Sequence, residues 1–282
     1  MELHRLAAFT RNPEGGNPAG IALLDAHPDD ATMLAVAADI GYSETAFLVP
    51  DGPRRHRVRY FAPITEVSFC GHATIAAGVV LAERDGPGPF TIVLANGTEV
   101  PVDTQRDPDG AVVATLTSPP PSVDPIDEAD LTALLSALRW DRTALDPALP
   151  ASVAWAGARH PILPAASRPQ LASLDYDFDA LADLMAQRDW TTVDLVWRQT
   201  ASRWHARNAF AIGGVVEDPA TGAAAAAFGG WLRHHGLVEL PATVTIEQGV
   251  DLGRPSLISV QIDPGRTGIR VSGHAVPLAP TR

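Results

Sequence analysis

The chain has 282 residues, 46% of them hydrophobic, and a formal net charge of -12. That composition suits a folded protein with a sizeable core and excludes the basic stripe of a nucleic-acid binder. All 21 basic residues are arginine, so lysine Schiff-base chemistry and a P-loop lysine are excluded, and a single cysteine excludes an intrachain disulfide framework. No run nears the ~20 apolar residues of a membrane span. The opening MELHRLAAFTRNPEGG has no apolar h-region, so the expected compartment is the cytoplasm.

In chain order, LHRLAAF and GIALLDA read as strands on either side of the turn-rich NPEGGNP. Residues 29–41 have helical periodicity and a helix-stopping Gly41. SETAFLVP and HRVRYFAP are two further strands, and VSFCGHATIAAGVVLAERDG is a short strand, a turn at Cys70–Gly71 and a small-residue helix ending near Gly86. FTIVLANGTEVPV is a pair of strands around an Asn-Gly turn. The Pro-rich segment 118–127 reads as a linker, after which the order repeats. DEADLTALLSALRW and FDALADLMAQRD are helical, ASVAWAGARHPILPAAS and TTVDLVWRQ carry strands, and DPATGAAAAAFGGWLRHHG leads into TVTIEQGVDLGRPSLISVQI.

Gly71 is followed by glycines at 86 and 97, and Gly222 by glycines at 236 and 249, at nearly equal intervals. Both stretches carry threonine and several alanines, which points to an internal duplication. Ala223–Ala227 begin a helix with no side-chain bulk, suited to a place where other backbone approaches closely on all sides. The first amides of such a helix suit an anion, and Asp218 just before them either caps the helix or does chemistry. His72 in one turn and Glu217–Asp218 in the other are costly to bury unless used.

GNPAG (16–20), SETAF (43–47), FAPITEVSFCGHAT (61–74), EDPATG (217–222) and QGVDLGRPS (248–256) occur in order along both halves. Together they resemble the phenazine-biosynthesis PhzF-like family, which shares its fold with diaminopimelate epimerase. The resemblance implies an α/β (α+β) fold of two pseudo-symmetric domains, each a mixed, barrel-like sheet around a central helix. Their expected extents are 1–117, joined by a last strand at about 268–280, and 118–267. It further implies a homodimer that uses no metal, nucleotide or pyridoxal cofactor.

The activity so implied is isomerisation of a small carboxylic acid by proton transfer in an interdomain cleft. By motif, Glu44 is the principal acid/base, assisted by His72 and Asp218. Asn17, Gly71, Ala73, Gly222 and Ala223 are the expected substrate-binding positions, their turn amides holding a carboxylate between two helix N-termini. Partial desolvation in SETAFLVP is the means by which Glu44 would be tuned for taking a proton from carbon. Ala223 stands where the family usually has serine, which removes a hydroxyl contact. Cys70 sits where the amino-acid epimerases of this fold have their first thiol, but the matching position in the second half is Thr221, so two-thiol racemisation is excluded. Two other readings stand beside the isomerase: a cofactor-free lyase or hydratase with the same base, and a binding protein for small anions. Arg254 either binds an acid or pins its own turn. The nine histidines show no ligand spacing, and no G-x-G-x-x-G follows a strand.

Overall fold

A computed structural model describes residues 1–279. The elements of the first half are β1 (Glu2–Ala8), β2 (Asn17–Leu23), α1 (Asp30–Ile40), β3 (Glu44–Pro50), β4 (Arg55–Phe61), β5 (Glu66–Val67), α2 (Gly71–Asp85), β6 (Gly88–Val93), β7 (Glu99–Arg106) and β8 (Val112–Thr117). The second half holds β9 (Ser122–Pro125), α3 (Glu128–Ala137), β10 (Ser152–Trp155), β11 (Arg159–Pro164), α4 (Arg168–Ala172), α5 (Phe178–Arg188), β12 (Val193–Arg198), β13 (Arg203–Ala209), β14 (Glu217–Asp218), α6 (Gly222–His234), β15 (Ala242–Gln248) and β16 (Ser256–Ile262). The last strand is β17 (Arg270–Pro277); residue 280 of the strand expected at about 268–280 lies outside the described residues.

Two compact units emerge, one from residues 1–117 and 271 onward, the other from 118–270. In the first, the strands pair in the order β1, β2, β3, β4, β6, β7, β8, β17 and back to β1, a closed eight-stranded barrel. Helix α2 fills it, packing on β1, β2, β3, β6, β7 and β8. That position dictates its composition. Gly71–Ala82 are all buried, and a Cβ on Gly78 would lie 2.8 Å from Val102 Cγ1 and 3.1 Å from the Ala114 Cβ. On the outside of the barrel, α1 lays Met33 and Ala37 against Phe47 and Phe61. Asp29 caps α1 by accepting from the Thr32 amide at 2.8 Å, and Gly41 ends it in the left-handed region at φ 70°.

In the second unit the order is β9, β10, β11, β12, β13, β15, β16, wrapped around α6. Gly222 and Ala224–Leu232 are buried, and a Cβ on Gly229 would lie 2.7 Å from both Ile269 Cγ2 and Val260 Cγ1. The alanine run is therefore a helix enclosed by its own sheet. Helices α3 and α5 cover the other face of the strands through Leu134, Leu135, Leu181 and Met185.

The duplication is visible in the pairing itself. From β1 to β7 the pairs run antiparallel, parallel, antiparallel, antiparallel to a two-residue strand, parallel and antiparallel. From β10 to β16 the same series recurs in the same order. The registers then fix which residues correspond: Thr45 opposite Phe61 matches Val193 opposite Ala209, so Glu44 corresponds to Thr192. Val67 likewise corresponds to Asp218, Cys70 to Thr221, and His72 to Ala223. Among the described residues no helix is long and apolar enough to cross a membrane.

Candidate active site

In the first unit the start of β3, the start of β2 and the N-terminus of α2 bring Glu44, Asn17 and His72 together. Asn17 is 1% exposed, and its side-chain amide donates to His72 Nδ1 at 3.1 Å. With Nδ1 accepting, the ring proton belongs on Nε2, which points to Glu44 Oε2 at 3.4 Å and to Ser43 Oγ at 3.4 Å. The Glu44 side chain is 14% exposed; its Oε2 is buried, close enough to His72 for charge pairing but not aligned as a hydrogen bond. A carboxylate oxygen in that condition keeps a lone pair for a proton acceptor role.

Cys70 is buried, with Sγ 3.3 Å from His72 Nδ1 and 3.8 Å from Nε2. Nearly equal distances to nitrogens on either side of Cε1 put the sulfur over the ring face, off both lone-pair axes. The donor atoms of Glu44, Cys70 and His72 lie within 4.8 Å of one another. A sulfur so placed, beside a ring nitrogen already bonded to Asn17, does not make a tetrahedral metal set. Instead the turn is tied down by Thr74, which donates to the Cys70 carbonyl at 2.7 Å and meets the Tyr60 hydroxyl at 2.7 Å. Burial pushes the Tyr60 phenol well above its ordinary value. Helix geometry leaves the amides of Gly71, His72 and Ala73 without an intrahelical partner, since the first such bond is from Thr74 to Cys70.

In the second unit hydrogen bonds connect Asp218, Thr221 and Gln248. Thr221 Oγ1 donates to Asp218 Oδ2 at 2.6 Å. Gln248, 1% exposed at the end of β15, donates to the Asp218 carbonyl at 2.7 Å and to Thr221 Oγ1 at 3.0 Å, and its Oε1 accepts from the Thr221 amide at 3.1 Å. Asp218 is thus not the cap of α6: the N-cap position is Thr221, and the carboxylate is engaged by that residue's hydroxyl. Gly222 is buried and Ala223 partly so, and the amides of Gly222–Ala224 precede the first intrahelical bond, from Ala225 to Thr221.

Two residues with no assigned role in the sequence hold this turn from the other side. Arg207 donates through Nε to Glu217 Oε2 at 2.9 Å, through Nη2 to Glu217 Oε1, and through Nη1 to the Ala172 carbonyl at 2.7 Å. Tyr176 donates to the Val216 carbonyl at 2.6 Å, and burial beside Glu217 pushes its phenol up to about 12. Gln248 was visible only as part of QGVDLGRPS. The signal for its role is the following Gly249, at φ 73°, where a Cβ would lie 2.7 Å from the Pro219 carbonyl oxygen and 2.4 Å from that of Arg254. Arg254 itself donates its amide to the Gly249 carbonyl at 3.0 Å.

The model of the phenazine biosynthesis-like protein family matches residues 6–280. The chain belongs to this family. It is 31% identical to the uncharacterized isomerase YddE of Escherichia coli O157:H7 over 98% of this chain and 96% of that one. It is 30% identical to the trans-2,3-dihydro-3-hydroxyanthranilate isomerase of Pseudomonas chlororaphis, covering 95% and 94% of the two chains. A solved structure described as a predicted epimerase of Pseudomonas aeruginosa superimposes with a TM-score of 0.85 at 26% identity, covering 98% and 96%. The protein is therefore an isomerase of the phenazine biosynthesis-like family with a diaminopimelate epimerase-like fold.

Proposed function

We propose that this isomerase moves a proton on a small amino- or hydroxy-bearing, unsaturated carboxylic acid, with the Glu44 carboxylate as acid and base. The observation that carries the reading is the buried Glu44 Oε2, without a hydrogen bond and beside His72 Nε2. Glu44 takes a proton from carbon, the electron pair passes into the conjugated system of the substrate, and the same proton or one from solvent is returned to another carbon. No electrons are gained or lost. His72, held by Asn17, orients Glu44 and hydrogen-bonds polar groups of the substrate. The amides of Gly71–Ala73 and Gly222–Ala224 stabilise the carboxylate as charge builds up, as preorganised backbone dipoles do. In this proposal the Asp218 turn, which carries the second set of amides, also faces the substrate. The enzyme works as a cytoplasmic homodimer with no metal or organic cofactor; sedimentation at two protein concentrations checks the dimer.

The test is solvent deuterium entering carbon. The protein is incubated in D₂O with trans-2,3-dihydro-3-hydroxyanthranilate and a panel of related small acids, and exchange is followed by NMR. Exchange in the wild type falls by about 10²–10⁴-fold in Glu44→Gln, the range that a general base contributes. Equal exchange in both proteins removes Glu44 as the base.

A further inference from the structure

Three polar side chains stand in one row across the second unit. Asp194 of β12 is the register partner of Asn208 of β13, and Asn208 is the partner of Asp218 of β14. Register partners share a face of the sheet. Here it is the face turned to α6, because Trp204, at the same phase of β13 as Asn208, stacks edge-on against Phe228 and Trp231. The alternate residues Val193, Leu195 and Ala209 belong to the cluster under α3 and α5.

Asn208 meets Asp218 through strand pairing, and hydrogen bonds tie Asn208 to Asp194 and to two further side chains. Asn208 Nδ2 donates to Asp194 Oδ1 at 2.9 Å, Thr192 Oγ1 donates to Asn208 Oδ1 at 2.6 Å, and His160 Nδ1 meets Thr192 Oγ1 at 2.8 Å. Since the Thr192 proton is spent on Asn208, His160 Nδ1 must be the donor. The exposures of His160, Thr192, Asp194 and Asn208 are 0%, 1%, 2% and 1%. Such a set, buried against an alanine-rich helix, has no packing advantage over apolar residues. It stands directly beside the turn that carries Asp218.

We infer that Asp194 is a positioning residue for the Asp218 turn, coupled to it through Asn208, so that the charge on Asp194 and the charge on Asp218 are linked. The inference deepens the functional reading above, on which the Asp218 turn faces the substrate. Burial with only Asn208 as partner pushes the Asp194 carboxyl up to about 7, and burial holds His160 down to about 4. At neutral pH Asp194 is therefore an acid about to ionise, while His160 is neutral. The titratable and charged groups on this face are His160, Asp194 and Asp218, with Arg198 over the Trp204 ring and His235 against Ser152 farther along it. Arg207, Glu217 and Glu247 occupy alternate positions of the same strands and face the other way, and Gly222–Phe228 of α6 carry none. Asp194 and Asp218 are two strand spacings apart, about 10 Å. At an effective dielectric of about 20 a charge at that distance changes a proton affinity roughly tenfold.

The experiment is an NMR titration of the full chain from about pH 5.5 to 8.5, bracketing the expected midpoint. It follows the Asp194 carboxyl carbon and the backbone amides of Asp218, Thr221 and Gly222. In the wild type the turn amides shift with the midpoint of the Asp194 carbon, and in Asp194→Asn that shift disappears. In Asp218→Asn the Asp194 midpoint falls by about one pH unit, the tenfold change above. A flat Asp194 carbon, turn amides that do not follow it, or an unchanged midpoint in Asp218→Asn overturns the inference. The wild-type titration needs no variant to fold. Failure of Glu44-dependent exchange would leave these shifts untouched, so the two readings fail separately.

Discussion

Asp194 and His160 sit at two ends of one buried hydrogen-bond chain and are shifted in opposite directions, which makes their effect on stability testable. Burial raises Asp194 from an ordinary 3.8 to about 7 and lowers His160 from 6.5 to about 4. Between roughly pH 4 and 6.5 the folded pair binds one proton, on Asp194, and the unfolded pair also binds one, on histidine. With equal proton counts the pair gives stability no slope with pH in that window. Removing either partner uncovers the other. In Asp194→Asn only the depressed His160 remains, and stability is lost as pH falls from 6.5 towards 4, by about 3 kcal/mol over the whole shift. In His160→Asn only the raised Asp194 remains. Its contribution is complete below the unfolded value and is lost as pH rises from 3.8 towards 7, by about 4 kcal/mol. Urea unfolding at several pH values, read by the fluorescence of the buried Trp204 and Trp231, reports on this unit. Slopes of the same sign in the two variants, or wild-type slopes in both, would refute the reasoning.

Glu217→Gln leaves the Arg207 guanidinium buried beside a neutral partner and lowers stability by about 3–5 kcal/mol, whereas Arg207→Met with Glu217→Leu recovers most of it; urea melts of the three proteins check this. Gly78→Ala and Gly229→Ala each lower the melting temperature, because overpacking costs about 1–3 kcal/mol and outweighs a gain in helix propensity of about 1 kcal/mol. Gln248→Leu strips partners from the Asp218 carbonyl and from Thr221, at a cost of about 1–3 kcal/mol, and hydrogen exchange at the Thr221 amide rises with it.

What was legible in the sequence follows from where packing constrains residue type. A helix enclosed by its own sheet tolerates few side chains, so Gly78, Gly229 and the run Ala223–Ala227 leave a mark that no amphipathic helix would leave. The glycines that punctuate each half made the duplication readable for another reason: Gly86, Gly97, Gly236 and Gly249 all stand at positive φ, where glycine is favoured. Glu44, His72 and Asn17 lie far apart in the chain, and only the motifs named them together; the parallel pairing of β2 with β3 and the entry of α2 bring them into contact. The row of Asp194, Asn208 and Asp218 left no such mark. Alternating polar residues in TTVDLVW and RWHARNAF look like a strand with one wet face, yet here α6 covers one face and α3 and α5 cover the other. Periodicity reveals alternation, not which phase is buried. Of the two roles open to Asp218, the N-cap of α6 falls instead to Thr221 on a local detail: the chain runs on through Pro219 and Ala220, and Thr221 takes the cap position and the carboxylate together.

The two halves share one order of pairing and differ in what stands at matching places. Glu44 answers to Thr192, His72 to Ala223 and Cys70 to Thr221, so each titratable group of the first turn has a neutral counterpart in the second. The amides at the start of each central helix are backbone and survive any substitution, whereas acid and base groups are side chains and persist only where they are kept. On the proposed function, the duplication keeps two helix ends that can hold an anion at no cost in sequence while concentrating proton chemistry in one of them. On the proposed reaction that leaves Glu44 to remove the proton and to return it. The second unit offers no carboxylate or imidazole at the corresponding places, and its own acid and imidazole, Asp194 and His160, are sealed in the row behind Asp218.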